Sequence, residues 1–442
     1  MTDPNSNPTP ASGERVFIRL GPPPEEPNQF VVDGAPQTYP PDVRARLEVD
    51  AKEIIARYPN KRSALLPLLH LVQSEDSYLT PAGLEFCSEQ LRLTGAEVSA
   101  VGSFYTMYRR GSDEVTLAAG AATGKTIWEY TENASFRSGM AMENGAGPHA
   151  TPLVTANAVY AVGILAHLVC LDKKTGHVVW SHDLWREFDG TRMDRGYSVS
   201  PIAWKDTIIM KVGGAGHALM AFNQKDGKVV WQKQDFANSP SSPILIQVDG
   251  QDQLVAVMGD EIVGINPDSG DLLWKHPHTT SWGLNIALPL WGEDNTLFVS
   301  SAYNGGCAAL ELHVVNGKTQ VKELWNTNRM RVHIGNLLRV GDTLYGSSGD
   351  FGPAPLTALD AKTGKVLWQD RTFPKAAFLY ADGKLIAVDE DGNLSLATVS
   401  PAGLKVLSRA ELLRSNAWTA PSLVGTTLYV RDRHSLMALD LR

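Results

Sequence analysis

Cysteine is scarce in this chain: three residues in 442, at Cys87, Cys170 and Cys307. Their wide separation excludes both a CxxC metal pair and a disulfide framework, and they read as buried thiols. No apolar run is long enough to cross a bilayer, so a membrane-spanning protein is not expected. The first residues, from Met1 to Phe17, lack the apolar stretch of a secretory leader, so the expected location is cytoplasmic. Basic runs are missing too. With 40 Lys and Arg against 48 Asp and Glu, the net charge is -8 and the pI about 5.8. That balance argues against a nucleic-acid partner. The remainder, 43% hydrophobic and 20% charged, is ordinary globular composition. The length suits two or three domains or one large repeat array.

What the chain has in plenty is repetition. Gly124 followed by Trp128 closes one short segment, and the pattern returns as Gly176 and Trp180, Gly227 and Trp231, and Gly270 and Trp274. A looser copy carries Gly317 and Trp325, then Gly364 and Trp368 follow, and a last copy has Ser408 where the Trp is due. The spacing, roughly 40–52 residues, is that of a four-stranded propeller blade. Before each turn stands a short apolar strand that ends in Asp or Asn, which can bond the backbone of the turn it opens. The Gly supplies a positive φ without steric cost. The Trp is placed to fill the space between neighbouring blades. A second signal runs out of phase. Thr151-Pro152, Ser200-Pro201, Ser242-Pro243, Leu288-Pro289 and Ala420-Pro421 each precede an apolar hairpin with a Gly, Asp or Asn turn.

These residues resemble the PQQ-like propeller repeat family, which includes the quinoprotein dehydrogenases and the BamB-type assembly scaffold. The resemblance covers about residues 119–442 and implies a mainly β fold: a seven- to eight-bladed propeller. The final segment, Ser435–Asp440, has no outer strand after it. A strand from the N-terminal end is expected to close that blade and remove a free sheet edge. Propellers of this family are usually periplasmic or exported.

The first hundred residues differ. Residues 1–38 are rich in Pro, Asn and Gly and read as a disordered or extended arm. Residues 39–110 read as four helices. Apolar residues recur at helical spacing over Asp42–Tyr58 and Ser63–Gln73. Thr80-Pro81 marks the start of a third helix, and Thr94 to Glu97 opens a fourth that runs to about Tyr108. The words RYPNKRSALLPLLHLVQ and AVGSFYTMYRR make this segment similar to the helical N-terminus of the thioredoxin-like iron–sulfur subunit of bacterial respiratory complex I (NuoE). In that family the helices precede a domain whose four cysteines hold a [2Fe–2S] cluster. Here the match ends at Arg110, residues 111–118 form a junction, and the four ligands such a centre needs are missing. The chain thus reads as a fusion protein, with a NuoE-like segment that holds no cluster. It is expected to dock, if anywhere, on the NADH module of complex I.

Few residues suggest chemistry. Quinoprotein dehydrogenases hold their quinone with vicinal cysteines, a stacking Trp and Ca²⁺, and no adjacent cysteines exist here. Neither PQQ nor Ca²⁺ is expected, and no metal site is predicted. Thr123 to Thr126 looks like the end of a P-loop but lacks its first Gly, and Gly213 to Gly216 has no helix after it. Asp389 to Asn393 has part of a calcium-loop spacing and reads instead as a hairpin turn. Inner strands line the channel of a propeller, so His149, Tyr197, Ser200, Ser241, Asn285 and Trp418 are nominated as ligand-facing residues. No catalytic residue is nominated. The expected function is a non-catalytic scaffold for a protein or ligand. The rival readings are a quinoprotein-like oxidoreductase and a complex I subunit-like protein.

Overall fold

In a computed structural model of the chain, each apolar word of the repeat becomes a strand. The structure describes residues 16–19, 36–58, 61–76, 79–94, 98, 113–119, 124–133, 148–350, 352, 354–414, 416–432 and 435–442. It divides into a helical unit and a propeller unit, the latter made of the strand Val16–Arg19, residues 117–129 and the chain from residue 148 onward.

The helical unit holds α1 (Pro41–Ala56), a 3₁₀ turn (Lys61–Ala64), α2 (Leu65–Asp76) and α3 (Pro81–Leu91). Leu47, Ala51, Leu68, Leu69, Val72, Phe86 and Cys87 form its core. Thr80 caps α3 as expected: its Oγ accepts from the Gly83 amide at 3.0 Å, and Pro81 fills the first helical position. Three α-helices are described where four are expected. The fourth, from Thr94 to Tyr108, falls almost wholly outside the described residues.

Among the described residues, the propeller strands form seven four-stranded antiparallel sheets, with one two-stranded sheet, Asp113–Ala119 against Thr126–Asn133. The seven blades span residues 153–183, 202–233, 244–277, 290–327, 338–370, 376–411 and 422–440. The seventh is completed by Val16–Arg19, which pairs antiparallel with Ser435–Asp440, Val16 opposite Ala438. The closing strand that the sequence called for is therefore present, inside the segment read as an arm.

Neighbouring blades are joined by the repeat residues. The indole N–H of Trp128 donates to Lys173 O at 2.9 Å, that of Trp180 to Gln224 O at 3.0 Å, and that of Trp231 to Pro267 O at 3.2 Å. Trp325 and Trp368 reach Ala361 O and Ser400 O in the same way, at 2.9 and 3.0 Å. Each acceptor stands in, or for Ser400 at the strand end leading into, a third-to-outer-strand turn of the following blade. Trp274 is the exception. Its N–H goes to the buried Gln253 Oε1 at 2.7 Å, because the fourth blade extends its hairpin where the turn would be.

The sequence did not disclose a bulge in the outer strands of the first six blades; the seventh, closed by Val16–Arg19, has none. Cys170 pairs with Trp180 and Leu171 with Val178, so Val179 has no partner. The same slip leaves out Val230, Leu273, Leu324, Leu367 and Leu407. The extra residue breaks the alternation of faces. Both residues ahead of the Trp point outward (Val178 49% and Val179 54% exposed), and the Trp turns against the next blade.

Candidate functional site

Two kinds of segment carry the polar side chains: the lead-in connection from one blade to the next, and the turn between second and third strands. All six nominated residues sit on lead-in connections. His149 precedes the first blade, Tyr197 and Ser200 the second, Ser241 the third, Asn285 the fourth and Trp418 the seventh.

The structure links several of them into one hydrogen-bonded series. The Thr151 amide donates to Ser200 Oγ at 2.9 Å, and the Ser200 amide donates to Ser242 Oγ at 2.9 Å. The Ser241 amide donates to Asn285 O at 2.7 Å, and Asn285 Nδ2 donates to Met258 O and Gly259 O at 2.7 and 3.0 Å. Tyr197, Ser241 and Asn285 have no exposed surface. Tyr197 donates its hydroxyl to Lys211 O at 2.6 Å, and burial raises its pKa far above the usual phenol value. These groups bind backbone oxygens as the structure stands. Trp418 lies apart, its N–H 3.3 Å from Glu390 Oε2, and His149 is half-buried at the head of the first blade.

A second group, which sequence reasoning missed, brings together side chains from three lead-in connections and two turns between second and third strands. Tyr303 Oη lies 2.6 Å from His333 Nε2, and Lys375 Nζ lies 3.1 Å from His333 Nδ1. Lys375 also donates to Asp350 O at 3.3 Å, and Arg331 pairs with the Asp350 carboxylate at 3.2 Å. Trp282 meets the Tyr303 ring edge-on, centroids 4.9 Å apart, and remains 64% exposed. Burial, then the Lys375 charge, pushes His333 down to about 4, so the ring is neutral near pH 7. With Lys375 protonated, Nδ1 accepts from the ammonium, and the ring proton sits on Nε2 facing Tyr303. Arg195, from the second blade's lead-in, also acts on His333 electrostatically. The only signal available in the sequence was position, since His333 and Lys375 occupy the lead-in connections to the fifth and sixth blades, the same kind of segment that carries the nominated six. Arg331 and Asp350 also line an open polar groove of about 1030 Å³, together with Arg329, Lys365 and Gln369.

Among the described residues, no group of three His, Cys, Asp or Glu side chains is placed to hold a metal ion. Cys170 and Cys307 are buried in the first and fourth blades, their thiols pushed up to about 11 and about 12 by desolvation. The two lie in different core clusters and do not form a quinone-clasping pair. Cys87, buried in α3, is likewise pushed up to about 12. Asp389 accepts from the amides of Asp391 and Asn393 and from Arg409, which makes its segment a closed hairpin turn. No described helix is long and apolar enough to cross a membrane.

Comparison with known proteins divides the chain in the same place. A family profile described as "Outer membrane protein assembly factor BamB" matches residues 111–370, and one described as "Thioredoxin-like [2Fe-2S] ferredoxin" matches residues 51–117. One NADH-quinone oxidoreductase subunit from Mycobacterium bovis is 84% identical over 98 residues, 22% of this chain and 39% of that protein. The quinoprotein alcohol dehydrogenase PedH of Pseudomonas putida is 26% identical over 261 residues, 52% of this chain and 40% of that protein. The chain thus spans about two fifths of the length of each of these relatives. Among solved structures, BamB from Moraxella catarrhalis aligns with a TM-score of 0.51 at 15% identity, over 72% of this chain and 90% of that one, a likeness of fold.

Proposed function

The chain belongs to the outer membrane protein assembly factor BamB family, and from that premise we propose that its propeller is a non-catalytic scaffold. The face that holds a protein partner is the one built by the lead-in connections. One observation carries this reading: Trp282 stands 64% exposed on a fixed base of Tyr303, His333 and Lys375. An exposed large aromatic packed on a Tyr is a usual anchor of a protein interface. The base beneath it is already hydrogen-bonded, so little ordering cost remains to be met on binding.

The quinoprotein reading fits the residues less well. It needs a cysteine pair and a carboxylate-bound cation. The described cysteines are buried in separate cores, and the buried amine of Lys375 is taken up by His333 and Asp350 O. The test sets the two readings against each other. Trp282→Ala should keep the Tm and lose the partner that wild type retains, and PQQ with Ca²⁺ should leave the Tm unchanged. A saturable Tm rise with PQQ and Ca²⁺ would overturn the scaffold reading.

The helical unit supports a second proposal of its own. Its identity to the mycobacterial oxidoreductase protein favours docking on an NADH-quinone oxidoreductase, without an electron-transfer role, because the matched segment holds a single buried cysteine. Failure of the full chain to co-purify with that complex counts against it.

A further inference from the structure

Lys211 ends the second strand of the second blade and has no exposed surface. Its Nζ donates to Val257 O at 2.6 Å, Ser241 O at 2.7 Å and Ser239 O at 3.0 Å, with Ser239 Oγ at 3.4 Å. Val257 ends the second strand of the third blade, and Ser239 and Ser241 lie on the connection between the two blades. No charged group acts on the amine, burial being the sole influence on its titration. The titratable group that touches this residue is the buried Tyr197 phenol, which donates to the Lys211 carbonyl beside Asn238 Nδ2.

An ammonium has three N–H groups, and three carbonyl oxygens stand ready for them. A neutral amine has two, and its lone pair would face a carbonyl oxygen. Carbonyl oxygens converging from separate segments are the donor set that replaces the hydration shell of a monovalent cation. We propose that the Lys211 ammonium is a tethered stand-in for such a cation. It fills an oxygen cage between the second and third blades and fixes the third blade's lead-in connection.

The effect extends along that end of the ring. Ser241, held through its carbonyl, passes its amide to Asn285 O at 2.7 Å and its hydroxyl to Ala287 O at 2.9 Å. Tyr197, Ser241 and Asn285 are then the frame of the cage. Burial alone pushes the amine down to about 7. The cage opposes this, because only the protonated form satisfies all three carbonyls.

The test is chemical rescue. Lys211→Ala should lower the Tm by roughly 5–15 °C. Methylammonium, ammonium or K⁺ should restore part of it saturably, while tetramethylammonium at equal ionic strength should not. An alanine variant indifferent to all four cations overturns the proposal. So does Lys211→Met, of matched length without charge, if it melts with wild type. If neither variant folds, wild type decides. An amine neutral in the fold but charged when unfolded makes stability rise with pH between 7 and 9. The proposal expects no such rise, and a rise in that window contradicts it.

Discussion

A Cβ added to Gly227 would stand 2.8 Å from the ring of Trp180, whose N–H is bonded to Gln224 three residues earlier. The glycine has a φ of 71°, so it is required twice, by its backbone and by the indole of the preceding blade. Gly176 against Trp128, Gly270 against Trp231 and Gly364 against Trp325 repeat the contact. Gly227→Ala is expected to cost about 2–4 kcal/mol, the sum of a left-handed penalty and overpacking. Gly317→Ala, with a φ of 73° and open space around it, should cost only about 1 kcal/mol. Urea melts of the two variants side by side check the difference.

Trp274 departs from the other tryptophans by binding Gln253, which is itself held by Thr319 at 2.8 Å. Gln253→Ala should cost about 1–3 kcal/mol by stranding the indole N–H. The matching change at Gln247, exposed on the same blade, should cost less than about 0.5 kcal/mol. Equal losses at the two sites would show that stability does not depend on Gln253, which joins Trp274 of its own blade to Thr319 of the fourth.

The repeat was legible because each of its residues answers a local demand: a turn glycine, a β-branched pair, a large apolar plate. The closing strand followed from the missing outer strand of the last blade. The bulge was not legible, since Val179 and Val230 extend the apolar run and only pairing shows that they drop out of register. Lys211 follows Ile209 and Met210 and reads as a strand end that reaches water, whereas it is sealed by carbonyls of the next blade. His333 and Lys375 are 42 residues apart and meet only because consecutive lead-in connections converge. Tyr197, Ser241 and Asn285 were nominated as channel-facing; they lie on lead-in connections with no exposed surface, and composition gave no means of telling a lining side chain from a buried strut.

Acid should weaken the propeller through two histidines. His278, bonded to Ser301 at 3.0 Å, and His333 are both pushed down to about 4, chiefly by burial. In the unfolded chain each titrates near 6.5, so between pH 6.5 and 4 the unfolded state binds more protons. Stability is therefore intact above about pH 6.5 and falls as pH drops toward 4, by about 3 kcal/mol per histidine at the acid end. His278→Gln and His333→Gln should each flatten the slope of stability against pH in that window. An unchanged slope in both contradicts the assignment.

Lys375→Met should free His333 from the positive charge beside it, so the imidazole pKa should rise from about 4 toward the usual value. Histidine ring NMR against pH reads this directly. A pKa that stays put would show that the Lys375 charge plays no part in the depression.

The scaffold face is tested most directly by a photo-crosslinking side chain placed at Trp282 in the full-length chain within the cells that make it, with a second placed at Asp226, on a turn between third and outer strands. The account predicts one discrete adduct from position 282, absent when Lys375→Met and Tyr303→Phe are added, and none from position 226. Adducts of equal yield from both positions, or none from position 282, would contradict it.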